Sequence, residues 1–423
     1  MAIVRNVDRI WYAARPLRFL DERAHDQSGI VPLTPSRLLV SDPGALGRIF
    51  RTDRSMQVDG TSTLGPLVGQ ASLLFANGPR HEAYRKVLGP ALRGGPLRGY
   101  RGMIASATED AIAELVPGTV FRLHDWTRAL TLRIIGRIVF GELGDEPLSS
   151  FTRWVEGALG SRARTLCYRY GRVPLPLPSA WHTFLGRRRR LGEELVARAY
   201  RSAAAGGPCL AGLLVSGAGP LGPLDDDELL DQLVSLLFAG HETTASSIAW
   251  TLFWLDRHPA IRADVASELA AARGDGSNAA DVPLLDAACQ EALRLTPPAT
   301  VAGNRTLTEP TVLAGRPMAA GTRLTPCVYL AHRRPDLYPH PHRFDPDRFL
   351  NQPPSNQYLP FGGGVRRCLG ADLATLEMRM IVTAVVRTLR FRCVNPERGV
   401  PQLRGPAMAP RADLRVEVTT CLR

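Results

Sequence analysis

The stretch Phe361-Gly362-Gly363-Gly364-Val365-Arg366-Arg367-Cys368-Leu369-Gly370 decides how the rest of the chain is read. Its three consecutive glycines let the backbone take positive φ and approach a flat ligand closely. Arg366 and Arg367 favour an anionic sulfur at Cys368. Gly370 leaves room for backbone N–H groups to point at that sulfur and tune a bound metal. From Ala371 onward Leu373, Leu376, Met380 and Ala384 recur at helical spacing. Cys368 therefore precedes a helix N-terminus, where the helix dipole also stabilises an anion. Two readings of these residues stand open. The cysteine is a thiolate metal ligand, or it is a small buried hydrophobe beside an ordinary turn.

Phe361, Gly364, Arg366, Cys368 and Gly370 fit the pattern Phe-x-x-Gly-x-Arg-x-Cys-x-Gly without a mismatch. This resembles the haem-binding signature of the cytochrome P450 family. The resemblance implies that Cys368 ligates the iron of haem (heme b) as a thiolate. It implies that Phe361, Gly364, Arg366 and Gly370 belong to the cofactor site.

A second segment tests the first. Asp225, Asp226, Asp227 and Glu228 crowd the start of a helix, where acidic groups cap and suit the dipole. The helix is expected to run from about Asp226 to about Arg257, with His258-Pro259 as its stop. That is roughly 45–50 Å at the standard rise. Its middle, Leu233 to Phe238, is apolar on almost all sides and reads as a buried core helix. Ala239-Gly240-His241-Glu242-Thr243-Thr244 follows directly. A glycine within a helix costs about 1 kcal/mol relative to alanine, and a buried charge needs a partner. Thr243 can bond a carbonyl one turn back and loosen the helix. Such breaches of local rules mark functional sites, although a polar patch facing a neighbouring helix would also produce them. The segment looks like the oxygen-binding motif of P450s. By that resemblance Gly240 opens a groove for dioxygen, Thr243 hydrogen-bonds it and Glu242 relays protons.

Weaker matches follow in the family's order. Glu291 and Arg294, three apart, share a helix face and can form a local ion pair. They resemble the family's Glu-x-x-Arg pair, and Arg348 in Phe344-Asp-Pro-Asp-Arg348-Phe349 resembles its second arginine. All three are expected to be structural. His81 and Arg85, four apart, resemble a haem-propionate site, and Arg305 matches a further propionate arginine. Arginine suits that task because its planar fork matches a carboxylate.

Composition agrees with one large enzyme. The 423 residues suffice to enclose a cofactor. The seven cysteines, Cys167, Cys209, Cys289, Cys327, Cys368, Cys393 and Cys421, are scattered and form no C-x-x-C pair. That argues against a disulfide framework or a structural zinc site and for a reducing, cytoplasmic location. Met1 to Leu20 is interrupted by Arg5, Asp8, Arg9, Arg15 and Arg18, so neither a signal peptide nor a transmembrane anchor is expected. The net charge of +12 could signal nucleic acid. However, Arg187 to Arg190 is followed by Glu193 and Glu194, which suits a solvated helix face, so no nucleic-acid partner is expected.

The pattern predicts helices over Ser106–Leu115, Ala129–Phe140, Gly192–Ala204, Glu228–Leu255, Ala260–Arg273 and Leu284–Leu295. Strands are expected near Arg37–Val40, Thr311–Leu313, Arg323–Val328 and Leu414–Val418. The segment 206–222 reads as a surface loop or linker. The resemblance implies a mainly α, helix-rich prism with small β-sheets, the P450 fold. It implies one domain over residues 1–423 without a fused reductase. The implied function is a haem-thiolate monooxygenase inserting one oxygen atom of O2 by hydroxylation or epoxidation. Bacterial natural-product or lipid metabolism would be its setting. The alternative is a haem-thiolate protein with a peroxide-dependent, isomerising or sensing role. Ferredoxin and ferredoxin reductase would supply electrons, docking near Arg366 and Arg367. Pocket walls are expected from Phe238, Ala239, Val301 and the loop 59–74, including Leu67; their apolar character points to a lipophilic substrate.

Overall fold

The computed structural model describes residues 8, 11–26, 28–60, 64–141, 144–160, 178–274, 282–350 and 355–422. Residues 61–63 of the expected substrate loop lie outside them. Among the described residues no helix is long and apolar enough to cross a membrane. Two compact units emerge, Met1–Asp59 with Ile104–Arg128 and Thr243–Arg423, and Gly60–Met103 with Ala129–Glu242. The elements used below are α1 (Pro43–Thr52), α2 (Gly78–Leu88), α3 (Gly95–Ala113), α4 (Leu123–Phe140), α5 (Asp145–Leu159), α6 (Pro178–Ala204), α7 (Leu210–Val215), α8 (Asp226–Arg257), α9 (Pro259–Gly274), α10 (Pro283–Leu295) and α11 (Ala371–Thr388). Helices α3, α4 and α8 carry the chain from one unit into the other.

The first unit holds the β-structure. Strands β1 (Ile30–Thr34), β2 (Arg37–Val40), β3 (Gln57–Gly60), β5 (Asn304–Thr306) and β8 (Arg323–Pro326) form one sheet in the order β1-β2-β8-β5-β3. Strand β2 runs parallel to β8, pairing Leu38 with Leu324, and β1 returns antiparallel with Ile30 against Val40. Alternate residues of these strands bury Ile30, Leu38, Val40 and Leu324 against Leu46 and Ile49 of α1. A second sheet joins β4 (Val120–Arg122), β9 (Leu389–Cys393) and β12 (Arg415–Cys421). The expected C-terminal strand thus starts one residue later and runs three further, because β9 pairs with it as far as Cys421. The strand expected at 323–328 stops at Pro326, and a short helix follows from Val328 to Ala331.

The second unit is helical. Arg80 and Tyr84 of α2 both hydrogen-bond Glu228 at the start of α8, the arginine at 2.7 Å from Nη2. Trp154 of α5 stacks on Phe184 of α6 at 5.2 Å. Two adjacent side chains of α8 hold the substrate-loop backbone: Asp231 accepts from Ala71 N at 3.0 Å, and Gln232 accepts from Leu73 N at 2.9 Å.

Several helices differ from their expected bounds. Helix α3 begins at Gly95, well before Ser106. Gly99 and Gly102 weaken its propensity, but nothing lies within 4 Å of where their side chains would project, so their smallness costs no packing. Helix α6 extends back to Pro178 through the arginine run. Arg187, Arg189 and Arg190 are exposed, as a solvated face requires, while Arg188 turns inward and pairs with Asp231. The expected linker at 206–222 contains α7, whose first turn is capped by the Cys209 sulfur accepting from Gly212 N at 3.3 Å. Helix α8 has the expected bounds, and Asp225 caps it, accepting from Glu228 N at 2.7 Å.

Candidate active site

The cysteine loop is shaped by two left-handed glycines, Gly362 at φ 66° and Gly364 at φ 67°. A 3-10 turn spans Gly364–Arg366, and Cys368 N donates to Phe361 O at 2.9 Å, which closes the loop. The Cys368 side chain is exposed. Helix α11 begins three residues later, so the thiol sits at the positive end of its dipole. The glycines serve the protein as much as any ligand. A side-chain carbon on Gly363 would lie 2.7 Å from the Phe50 ring, and one on Gly364 would lie 2.4 Å from Asp53 Oδ2.

Phe50 and Asp53 tie this loop to Arg305. Asp53 Oδ2 accepts from Arg305 Nη2 at 3.4 Å, and its Oδ1 accepts from Val365 N at 3.4 Å. The Arg305 guanidinium lies over the Phe50 ring at 5.4 Å. Arg305 is 1 % exposed, and among the described residues its Nε–H has no hydrogen-bond partner. Burial lowers its pKa, and Asp53 opposes the shift. A buried donor without an acceptor suits a site completed by an anionic ligand group.

Behind the loop the structure brings Glu291, Arg294 and Arg348 together. Arg294 donates to Glu291 Oε2 at 2.6 Å and to Oε1 at 2.8 Å, and Arg348 Nε lies 3.4 Å from Oε1. The remaining donors of Arg294 reach His332 O and Pro341 O at 2.8 Å and Arg343 O at 3.1 Å. The pair on α10 is therefore no exposed helix bridge; it clamps three carbonyls of the segment 332–343.

His332 extends the clamp. Its Nε2 accepts from Leu359 N at 2.8 Å, so its hydrogen sits on Nδ1, which faces Arg294 O at 3.3 Å. Burial, helped by Arg294 and Arg333, lowers its pKa to about 3. The Tyr358 ring stacks on it at 5.5 Å, and the Tyr358 hydroxyl donates to Gln290 O at 3.0 Å. Leu359 is two residues from Phe361, so α10 reaches the cysteine loop through a neutral histidine.

Helix α8 supplies an open stripe within a buried helix. Leu237, Phe238, His241, Glu242 and Thr244 are buried. Ala239 is exposed, and Leu236, Gly240 and Thr243 are half-buried. These four positions follow the i, i+3, i+4, i+7 pattern of one helix face. The central helix is therefore not apolar-packed all round. Thr243 lies on the open face, while His241 and Glu242 lie on the packed one. Gly240 has a packing reason as well: a side-chain carbon there would lie 2.5 Å from Ile135 Cγ1 of α4.

His81 and Arg85 share a face of α2, the first buried and the second half-buried. Leu67 is buried, and Val301 is half-buried against the core around Leu39. Arg366 is half-buried; Arg367 is exposed and lies 3.9 Å from Asp372. Asp53, His332 and the pairing of His241 with Glu242 were not found by sequence reasoning. Their partners are remote in sequence or hidden by helix rotation, and no local spacing announces them.

The residues fit haem. Each feature taken by itself suits one part of that group: the exposed thiol on its closed glycine loop a metal, the buried arginine an anionic group, the half-buried stripe of α8 a flat apolar face. The family model described as cytochrome P450 matches residues 39–417. The chain is 31% identical over 395 residues to cyclooctat-9-en-7-ol 5-monooxygenase of Streptomyces melanosporofaciens, covering 90% of this chain and 86% of that protein. It also matches the retinoic acid-bound structure of cyanobacterial CYP120A1 with a TM-score of 0.81 and 26% identity, over 96% of this chain and 94% of that one. The heme domain of cytochrome P450DA shares the fold, with a TM-score of 0.83 at 21% identity over 98% and 95% of the two chains.

Proposed function

The chain belongs to the cytochrome P450 family and is a haem-thiolate monooxygenase, and from that premise we propose that it oxidises a lipophilic small molecule by hydroxylation or epoxidation in bacterial natural-product or lipid metabolism. The carrying observation is the open stripe Leu236, Ala239, Gly240 and Thr243 on an otherwise buried helix. Its small and apolar side chains suit a flat cofactor and a lipophilic substrate. The relatives support that chemistry by their names, since one acts on a cyclic alkenol and one holds retinoic acid.

Haem with a thiolate ligand, when bound, would supply dioxygen activation and O–O bond cleavage. Cys368 would be its ligand, held as an anion by the α11 dipole and by Arg366. Phe361, Gly364 and Gly370 would shape the thiolate loop. His81, Arg85, Arg305 and Arg366 would bind the propionates, with Asp53 orienting Arg305 from behind. Thr243 would hydrogen-bond at the open stripe, and Glu242 would bring protons to it; delivery through a positioned acid is worth about 10²–10⁴-fold in rate. Gly240 would leave a groove for dioxygen on α8. Phe238, Ala239, Leu67 and Val301 would line the substrate side. Glu291, Arg294 and Arg348 brace the segment behind the loop and touch no reactant.

The family needs redox partners and O2. We assign ferredoxin and its reductase as donors, acting in the cytoplasm, with Arg367 as a basic contact moderated by Asp372. The test is the spectrum of the reduced, carbon monoxide-bound protein, then a spectral-shift screen of lipophilic compounds with ferredoxin-driven product identification. A red-shifted Soret band, lost in Cys368→Ala, and an oxygenated product are expected. A Cys368→Ala protein with the thiolate spectrum defeats the ligand assignment. Peroxide-driven conversion without ferredoxin favours the alternative role.

A further inference from the structure

His241 sits on the packed side of α8, 1 % exposed, with Phe151 of α5 at 5.6 Å and Phe238 at 6.2 Å, both edge-on. Its backbone carbonyl accepts from Thr131 Oγ1 of α4 at 3.1 Å, which holds this turn in place. Among the described residues the ring has two polar neighbours. Nδ1 lies 2.7 Å from Leu237 O, one turn back. A carbonyl oxygen only accepts, so Nδ1 carries a hydrogen. Nε2 lies 3.2 Å from Glu242 Oε1, and Glu242 is itself 1 % exposed.

The contact at Nε2 fixes a proton count. A neutral ring protonated at Nδ1 presents a lone pair at Nε2. A carboxylate oxygen presents lone pairs as well, so the two atoms repel unless a proton lies between them. With one proton the pair is neutral overall, as imidazole with carboxylic acid or as imidazolium with carboxylate. His332 provides the contrast: its Nε2 faces a backbone N–H, a pure donor, and needs no extra proton.

We propose that His241 and Glu242 hold one proton in common, which makes His241 a positioning residue for Glu242 and keeps a proton at that buried carboxyl of α8. The inference rests on the reading of Glu242 as a proton relay. When the proton leaves Glu242, a carboxylate and a neutral imidazole remain, and a proton from water restores the pair. Neither side chain is oxidised, and no bond other than O–H or N–H changes.

The test uses holoenzyme labelled with 15N-histidine, in the reduced carbon monoxide form, with His241 identified by its loss in His241→Phe. The expected spectrum shows a protonated Nδ1 and an Nε2 shift between those of a lone pair and an N–H. That Nε2 shift moves in Glu242→Gln. An Nε2 shift unchanged by Glu242→Gln overturns the proposal. In turnover, His241→Phe, which keeps the aromatic packing, and Glu242→Gln each lower the fraction of electrons reaching product several-fold. The double variant is no worse than the worse single one, because the two act as a unit. Normal coupling in His241→Phe with loss in Glu242→Gln sinks the shared proton and leaves the relay standing. Normal coupling in Glu242→Gln removes the relay itself. Should His241→Phe fail to bind haem, His241→Gln is read by the same two measurements.

Discussion

Arg294 holds Glu291 through two parallel hydrogen bonds, Nε to Oε2 at 2.6 Å and Nη2 to Oε1 at 2.8 Å, with both side chains 0 % exposed. Breaking such a buried pair strands a charge and costs about 3–5 kcal/mol. Arg294→Lys keeps the charge but loses the fork and the carbonyl clamp. It is expected to lower the denaturation midpoint and to convert the thiolate Soret band to an inactive form. An Arg294→Lys protein with parental stability would show that the clamp does not brace the loop.

The three loop glycines should not be equivalent. Gly362→Ala meets only Ala302 Cβ, at 3.7 Å, so it carries the left-handed penalty of about 1–2 kcal/mol. Gly364→Ala carries the same penalty and also drives a methyl to 2.5 Å from Phe50 O. Haem retention during thermal melting should fall in the order parent, Gly362→Ala, Gly364→Ala. Reversal of the last two would contradict the packing of α1 on the loop.

Gly240→Ala should be destabilising through Ile135, by about 1–3 kcal/mol for a methyl forced into a packed interface. Adding Ile135→Ala removes both nearest atoms. The double variant should therefore be less destabilised than the sum of the singles, measured by chemical denaturation. Additive losses would mean that α4 does not limit the side chain at this position.

His332 should steepen acid unfolding. Its pKa is lowered by burial from 6.5 to about 3. Above 6.5 the group is neutral in both states and its native contacts are at full strength. As pH falls below 6.5 the unfolded chain takes up a proton that the folded protein refuses. Stability is then lost at about 1.4 kcal/mol per pH unit until the folded pKa is reached. His332→Gln, which can still accept from Leu359 N, should flatten this limb between pH 6.5 and 3 in urea melts. An unchanged pH slope would argue against a buried neutral ring.

Thr243→Ala should leave haem binding intact, since Thr243 lies on the half-buried stripe of α8 and not in the cysteine loop. Electron consumption should continue while product per electron falls. Unchanged coupling, measured as product against reduced cofactor consumed, would remove Thr243 from proton delivery.

Much of this protein was legible in one dimension. Cys368 and its glycines, the caps and stops of α8, and the spacings His81–Arg85 and Glu291–Arg294 are all local patterns. Helix periodicity and loop chemistry act over a few residues, so such features survive without a fold. The helix starts that went astray, at Gly95, Leu123 and Pro178, did so because tertiary packing carries a helix on through residues whose local pattern does not announce it. Only the tertiary structure decided the rest. It buried the local Glu291–Arg294 pair as a clamp on three carbonyls, and it chose Asp53 as the partner of Arg305, 252 residues away. It also rotated α8 so that Thr243 lies on the half-buried stripe while Glu242 is buried beside His241. Those outcomes depend on which surfaces are buried and which donors meet which acceptors at a distance. A sequence pattern names the side chains on a helix; packing alone decides which of them must share a proton.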